Sequence, residues 1–168
     1  MHRRDTCSSG AMAKKRTAVA FGSFDIIHPG HIHYLKGAAR YGRLTVVVAR
    51  DSTVRMLKGA DPAMDERSRA KIVGAIKFVD DVVIGSKISR PEELYKILIE
   101  IRPDTIVLGY DQKVDISRLN AFLKKNGLKS RVVRISPYKA ERFKSSKIKQ
   151  HIIRISLTRQ SVDPAHNA

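Results

Sequence analysis

The chain has 168 residues, 42% of them hydrophobic, with one cysteine and a formal net charge of +17. That length suits a single domain able to bury about 70% of its unfolded surface, and no apolar run approaches the ~18 residues of a membrane span. Cys7 alone can form neither an intramolecular disulfide nor a cysteine-rich zinc site, which fits a reducing cytoplasm, and the short apolar runs go with no membrane partner. Residues 1–13 hold Arg3, Arg4, Ser8, Ser9 and Gly10 without an apolar core, so they read as a disordered leader and not as a secretory signal. The globular domain is expected over 14–158, with a disordered tail at 159–168.

Strand and helix periodicities alternate from there on. Residues 17–22 form a short apolar strand. It runs into Gly22-Ser23-Phe24-Asp25-Ile26-Ile27-His28-Pro29-Gly30-His31. Pro29 has the fixed φ of a first helical position, and its missing N–H is one that a helix start leaves unpaired. Gly22 and Gly30 lack a Cβ and permit close backbone approach. His28 and His31, three apart, flank the helix start, where free N–H donors and partial positive charge favour an anion. A His pair at this spacing could instead ligate a metal, but Asp25 is the only carboxylate beside it and no cysteine is near. The three glycines of a dinucleotide fingerprint are absent.

An amphipathic helix follows over 30–41, then an apolar central strand over 44–49. Asp51 or Ser52 caps a short helix stopped by Gly59, and residues 64–76 suit a helix with an acidic first turn. Later strands are expected at 79–84, 105–108 and 131–135. Helices are expected from Pro91 to about 101, from Asp115 or Ser117 to Gly127, and from Ser145 or Ser146 to about 155. This alternation predicts an α/β fold: one Rossmann-like, doubly wound domain of about five parallel strands with helices on both faces. Ligands of such sheets bind beyond the carboxyl ends of the strands. That rule selects the loops 22–31, 50–58, 109–113 and 136–146.

Each loop carries polar side chains. Lys58 beside Gly59 suits a mobile segment that brings charge to a phosphate, with Arg67 and Arg69 following; a solvated surface is the competing reading for Arg69. Asp111 either accepts from a ribose hydroxyl or base amine, or caps the next helix. Ser145 and Ser146 at a helix start, among Lys139, Arg142, Lys144 and Lys147, form a second phosphate cradle or a simple cap. Tyr138 stacks on a base or packs; His33 and His151 read as surface or packing residues. Residues 124–159 contain twelve Lys/Arg against Glu141 alone. Such a field attracts polyanions, but no zinc-finger, RNP or GXXG pattern accompanies it, so a nucleic-acid partner is the lesser alternative.

The H-P-G-H segment resembles the H-x-G-H motif of the cytidylyltransferase-like nucleotidyltransferases. Together with Val48-Ala49-Arg50-Asp51, Leu57-Lys58-Gly59, Val107-Leu108-Gly109-Tyr110-Asp111-Gln112 and Phe143-Lys144-Ser145-Ser146, the chain resembles the archaeal-type FAD synthases from about residue 17 to 153. That resemblance implies transfer of AMP from ATP to FMN. It places ATP-binding residues on Ser23, Phe24, His28, Pro29, Gly30, His31, Asp111 and Tyr138, to which the helix-start reading adds Ser145 and Ser146. His28, His31 and Lys58 are the expected catalytic groups; Asp25, Arg67 and Arg142 are candidate phosphate or acceptor contacts. Mg²⁺, carried mainly by substrate phosphates, is the expected cofactor. A homodimer is compatible with the sequence, which leaves oligomeric state open. Cytidylyl or adenylyl transfer to glycerol 3-phosphate or phosphopantetheine is the alternative. The Arg-Thr start of the glycerol-phosphate cytidylyltransferases' terminal segment is absent. So are the C-terminal cysteines of some archaeal FAD synthases, and with them any basis for thiol-dependent behaviour.

Overall fold

A computed structural model describes residues 15–160. The leader expected at 1–13 and residues 161–168 of the expected tail lie outside the described residues. Five strands form one parallel sheet: β1 Thr17–Gly22, β2 Arg43–Val48, β3 Asp81–Ile84, β4 Thr105–Leu108 and β5 Arg131–Arg134. Their spatial order is β3-β2-β1-β4-β5, with Ala18 opposite both Leu44 and Thr105. The order reverses between β1 and β4, so the crevice beyond Phe21–Gly22 and Leu108–Gly109 is the switch point where such sheets take ligands.

Alternation along β1 sends Ala18 and Ala20 to one face and Val19 to the other. On the first face these alanines pack with Leu35 and Ala38 of α1 (Pro29–Ala38) and Val73 of α3 (Glu66–Gly74). On the second, Val19 and Ile106 meet Leu98 of α4 (Ile97–Ile101) and Leu119 and Leu123 of α5 (Ile116–Lys125). Fully burying one such side chain is worth roughly 1.5–3 kcal/mol. Helix α2 (Asp51–Lys58) ends at Gly59, whose φ of 69° is the left-handed cap that glycine adopts without strain.

Four local expectations differ from the structure. The single helix expected from Pro91 is a 3-10 turn (Pro91–Tyr95) followed by α4. The tighter turn sets Tyr95 against Phe122 at 5.9 Å and leaves Ile97 and Leu98 in the core. Neither Asp51 nor Ser52 is the N-cap of α2. The position belongs to Arg50, and the Asp51 N–H donates to Glu66 Oε2 at 2.9 Å. The last helix, α6 (Ser145–Gln160), is longer than expected, with Ile152, Ile153, Ile155 and Leu157 exposed. Arg69 is neither a solvated nor a phosphate-ready cation: it is 0% exposed, with its guanidinium donating to the carbonyls of Met64, Ser23 and Ala49 and to Asp51.

Candidate active site

The strand-to-helix turn from β1 to α1 builds the centre of the site. His28 is the N-cap of α1, its Nδ1 accepting from the His31 N–H at 3.3 Å. That bond assigns the proton of a neutral His28 to Nε2, leaving an N–H donor. The two imidazoles stack at 3.8 Å between centroids, and His31 Nδ1 is buried without a hydrogen-bond partner. Phe24, at a left-handed φ of 47°, turns its buried ring onto His31 at 5.2 Å. A β-carbon on Gly22 would lie 2.7 Å from that ring, and one on Gly30 would lie 3.0 Å from the His28 imidazole. These glycines therefore make room for the site's own rings.

Around this pair lies a cleft of about 330 Å³, lined among others by Gly22, Phe24, His28, Gly30, His31, Lys58, Tyr110, Asp111, Tyr138, Phe143, Lys144, Ser145 and Ser146. A larger hollow of about 500 Å³ lies between the end of α5 and the start of the edge strand β5, away from the histidines. Tyr34 and Gln112 close the cleft floor. The Tyr34 hydroxyl donates to the Val107 carbonyl at 2.8 Å and accepts the Phe21 N–H at 3.2 Å, and Gln112 Nε2 donates to the Phe21 carbonyl at 2.6 Å. These bonds satisfy the backbone that the diverging strands β1 and β4 leave unpaired. Tyr34 falls among the apolar residues of its helix, which is why the pattern gives it no distinct signal.

Four predicted segments converge on the cleft. Lys58 reaches over from α2, its ammonium donating to Ser23 Oγ at 2.6 Å, so Ser23 joins the site through Lys58. Asp111 pairs with Lys144 at 3.7 Å, and the Lys144 ammonium lies 5.4 Å above the Tyr110 ring. Ser145 donates to the Ile26 carbonyl at 3.3 Å, tying the start of α6 to the histidine loop. Tyr138 stacks between His33 at 5.2 Å and Phe143 at 6.0 Å. Besides Ser23, four predicted residues are not drawn in as lining groups. Pro29 and Arg67 are exposed, and Arg142 lies over Phe143 at 5.7 Å outside the cleft. Asp25 is only 4% exposed and turned inward, where it accepts the Ala63 N–H at 2.6 Å and pairs with Lys149 at 2.5 Å.

Charge in the site is tuned by burial and crowding. Burial lowers the His28 pKa, partly opposed by the charge of Asp111. Burial, with the positive neighbours His28 and Lys58, pushes His31 down to about 3. Burial also lowers Lys58, while Asp25 and Asp111 pull it up. For Asp25 burial raises the pKa, but the Lys149 and Ala63 bonds outweigh it and the carboxylate stays below its ordinary range. At neutral pH the free site thus presents two neutral imidazoles and a set of cations.

A parallel sheet with paired histidines at a helix start beyond its switch point defines a nucleotidyltransferase-type site, and the family description Cytidylyltransferase-like matches residues 19–151. An FAD synthase of Thermoplasma acidophilum is 44% identical over 82% of this chain and 94% of its own length; one of Thermococcus onnurineus is 43% identical over 83% and 93%. A crystal structure described as a lipopolysaccharide core biosynthesis protein from Thermoplasma volcanium matches with a TM-score of 0.69 and 44% identity, over 74% of this chain and 99% of that one. The chain belongs to the cytidylyltransferase-like family and, within it, to the FAD synthases.

Proposed function

We propose that this protein transfers AMP from ATP to the phosphate of FMN, giving FAD and pyrophosphate. The supporting observation is the stacked histidine pair at the start of α1 within a cation-lined cleft, in a chain that spans nearly the whole length of FAD synthase relatives. An oxygen of the FMN phosphate attacks the α-phosphorus of ATP in line as the bond to the bridging β-phosphate oxygen breaks. Both partners are anionic, so catalysis is positioning and charge neutralisation. The Nε2–H of His28 and the imidazole of His31 meet phosphate oxygens at the helix start, where an approaching anion also raises their proton affinity. Lys58 and the Ser145–Ser146 end of α6 take the phosphates on either side of that centre.

Among the described residues no group of three or more His, Cys, Asp or Glu side chains is placed to hold a metal. Mg²⁺ carried on the substrate phosphates would neutralise their charge and needs few protein ligands. No helix among the described residues is long and apolar enough to cross a membrane. Two soluble, phosphorylated substrates go with a cytoplasmic place of action. Incubating the protein with Mg²⁺, ATP and FMN, and identifying the flavin product by mass, tests the reading.

A further inference from the structure

Asp25 joins three separate parts of the cleft wall. It sits in the β1–α1 turn, accepts the Ala63 N–H from the connection between α2 and α3, and pairs with Lys149 one turn into α6. Its carboxylate is 6% exposed, so it depends on a positive partner. Lys58 also feels the Asp25 charge, and it stands exposed at the end of α2 directly before Gly59, its ammonium on the Oγ of Ser23, two residues from Asp25. We propose that Lys149 is a positioning residue for the adenylyl transfer: by occupying Asp25 it leaves the Lys58 ammonium on Ser23, aimed at substrate phosphate. Without Lys149 the buried carboxylate draws Lys58 inward and removes its charge from the cleft. The inference rests on the reading that Lys58 binds phosphate.

The groups facing Lys58 come from five elements: Ser23 and Asp25 from the β1–α1 turn, His31 from α1, Asp111 from the β4–α5 loop, Arg69 from α3 and Lys149 from α6. Replacing Lys149 removes a positive neighbour and unmasks a negative one, and both changes favour protonated Lys58. Isotope-labelled reductive methylation of the full chain reads this titration by NMR without turnover, the Lys58 signal being assigned by its loss in Lys58→Arg. In Lys149→Met the Lys58 midpoint should rise by about one pH unit or more. The kcat for pyrophosphate release from ATP and FMN should fall at least about tenfold, and Lys149→Arg should recover most of it. The double variant Asp25→Asn/Lys149→Met keeps an acceptor for the Ala63 N–H but no buried charge. Its Lys58 midpoint should return toward the wild-type value; should Lys149→Met fail to fold, Lys149→Gln makes the same comparison. An unmoved Lys58 midpoint in Lys149→Met, or a double variant that stays displaced from wild type, overturns the proposal. A wild-type protein that makes no FAD would overturn the functional reading and leave the titration standing on its own.

Discussion

His28 and His31 do different work although they stack on each other. Both line the cleft, but His28 also caps α1, whereas the Nδ1 of His31 is buried without a hydrogen-bond partner. Replacing either by Ala should lower kcat by at least about 100-fold, as removal of a preorganised donor does. His28→Ala should in addition cost about 1 kcal/mol of stability through the lost cap, while His31→Ala should not; steady-state kinetics and urea unfolding separate the two. Normal turnover in both variants would remove the pair from the mechanism. His31 also makes stability depend on pH. Its pKa falls from 6.5 to about 3 on folding, so below 6.5 the unfolded chain binds a proton that the folded one does not. This term is absent above that pH and destabilises progressively as pH falls from about 6.5 toward about 3. Between pH 7 and pH 5, His31→Asn should lose less stability than wild type by urea titration; identical losses would contradict the assignment.

At the level of elements, the starts of α2 and α3 are locked together. Glu66 accepts the Asp51 N–H, Asp51 accepts the Glu66 N–H at 3.3 Å, and Arg69 ties Asp51 to the carbonyls of Ser23 and Ala49. Arg69→Met would strip those carbonyls of their donor and unpair Asp51. It should destabilise by about 3 kcal/mol, the low end for a broken buried pair because the Asp51 side chain keeps 32% exposure. A midpoint unchanged in urea would show that the clamp is dispensable. Lys58 hangs from the end of this clamped unit, and Lys58→Ala should reduce kcat more than ATP affinity if its charge is used mainly in the transition state. Equal affinity loss with unchanged kcat would mark it as a ground-state contact. Which parts of this were legible follows from where the information lies. The strands and their order of appearance are written in apolar runs, and the histidine turn in a local motif. Arg69 and Lys149 read as two more cations in a basic chain, because their partners, Asp51 and Asp25, are distant in sequence and meet them only through the tertiary fold. The 3-10 turn at Pro91–Tyr95 escapes the pattern for the same reason, since the packing it allows, Tyr95 against Phe122, joins residues distant in sequence. The close approaches that the fold makes at Gly22 and Gly30 are to the rings of Phe24 and His28.

For the whole molecule, strand order decides where chemistry happens. The reversal between β1 and β4 opens a crevice into which the β1–α1 turn, the end of α2, the β4–α5 loop and the start of α6 all deliver side chains. A net charge of +17 favours anionic substrates in general and cannot by itself choose among them. The choice is made by the acceptor. FMN supplies a phosphate nucleophile that riboflavin lacks, and the same cations would hold the phosphate of glycerol 3-phosphate or phosphopantetheine. The most direct measurement is therefore an acceptor comparison: purified protein with Mg²⁺ and ATP, given FMN, riboflavin, glycerol 3-phosphate or phosphopantetheine, with pyrophosphate release followed and products identified by mass. The account predicts FAD from FMN and no product from riboflavin; pyrophosphate released with glycerol 3-phosphate or phosphopantetheine but not with FMN would contradict it.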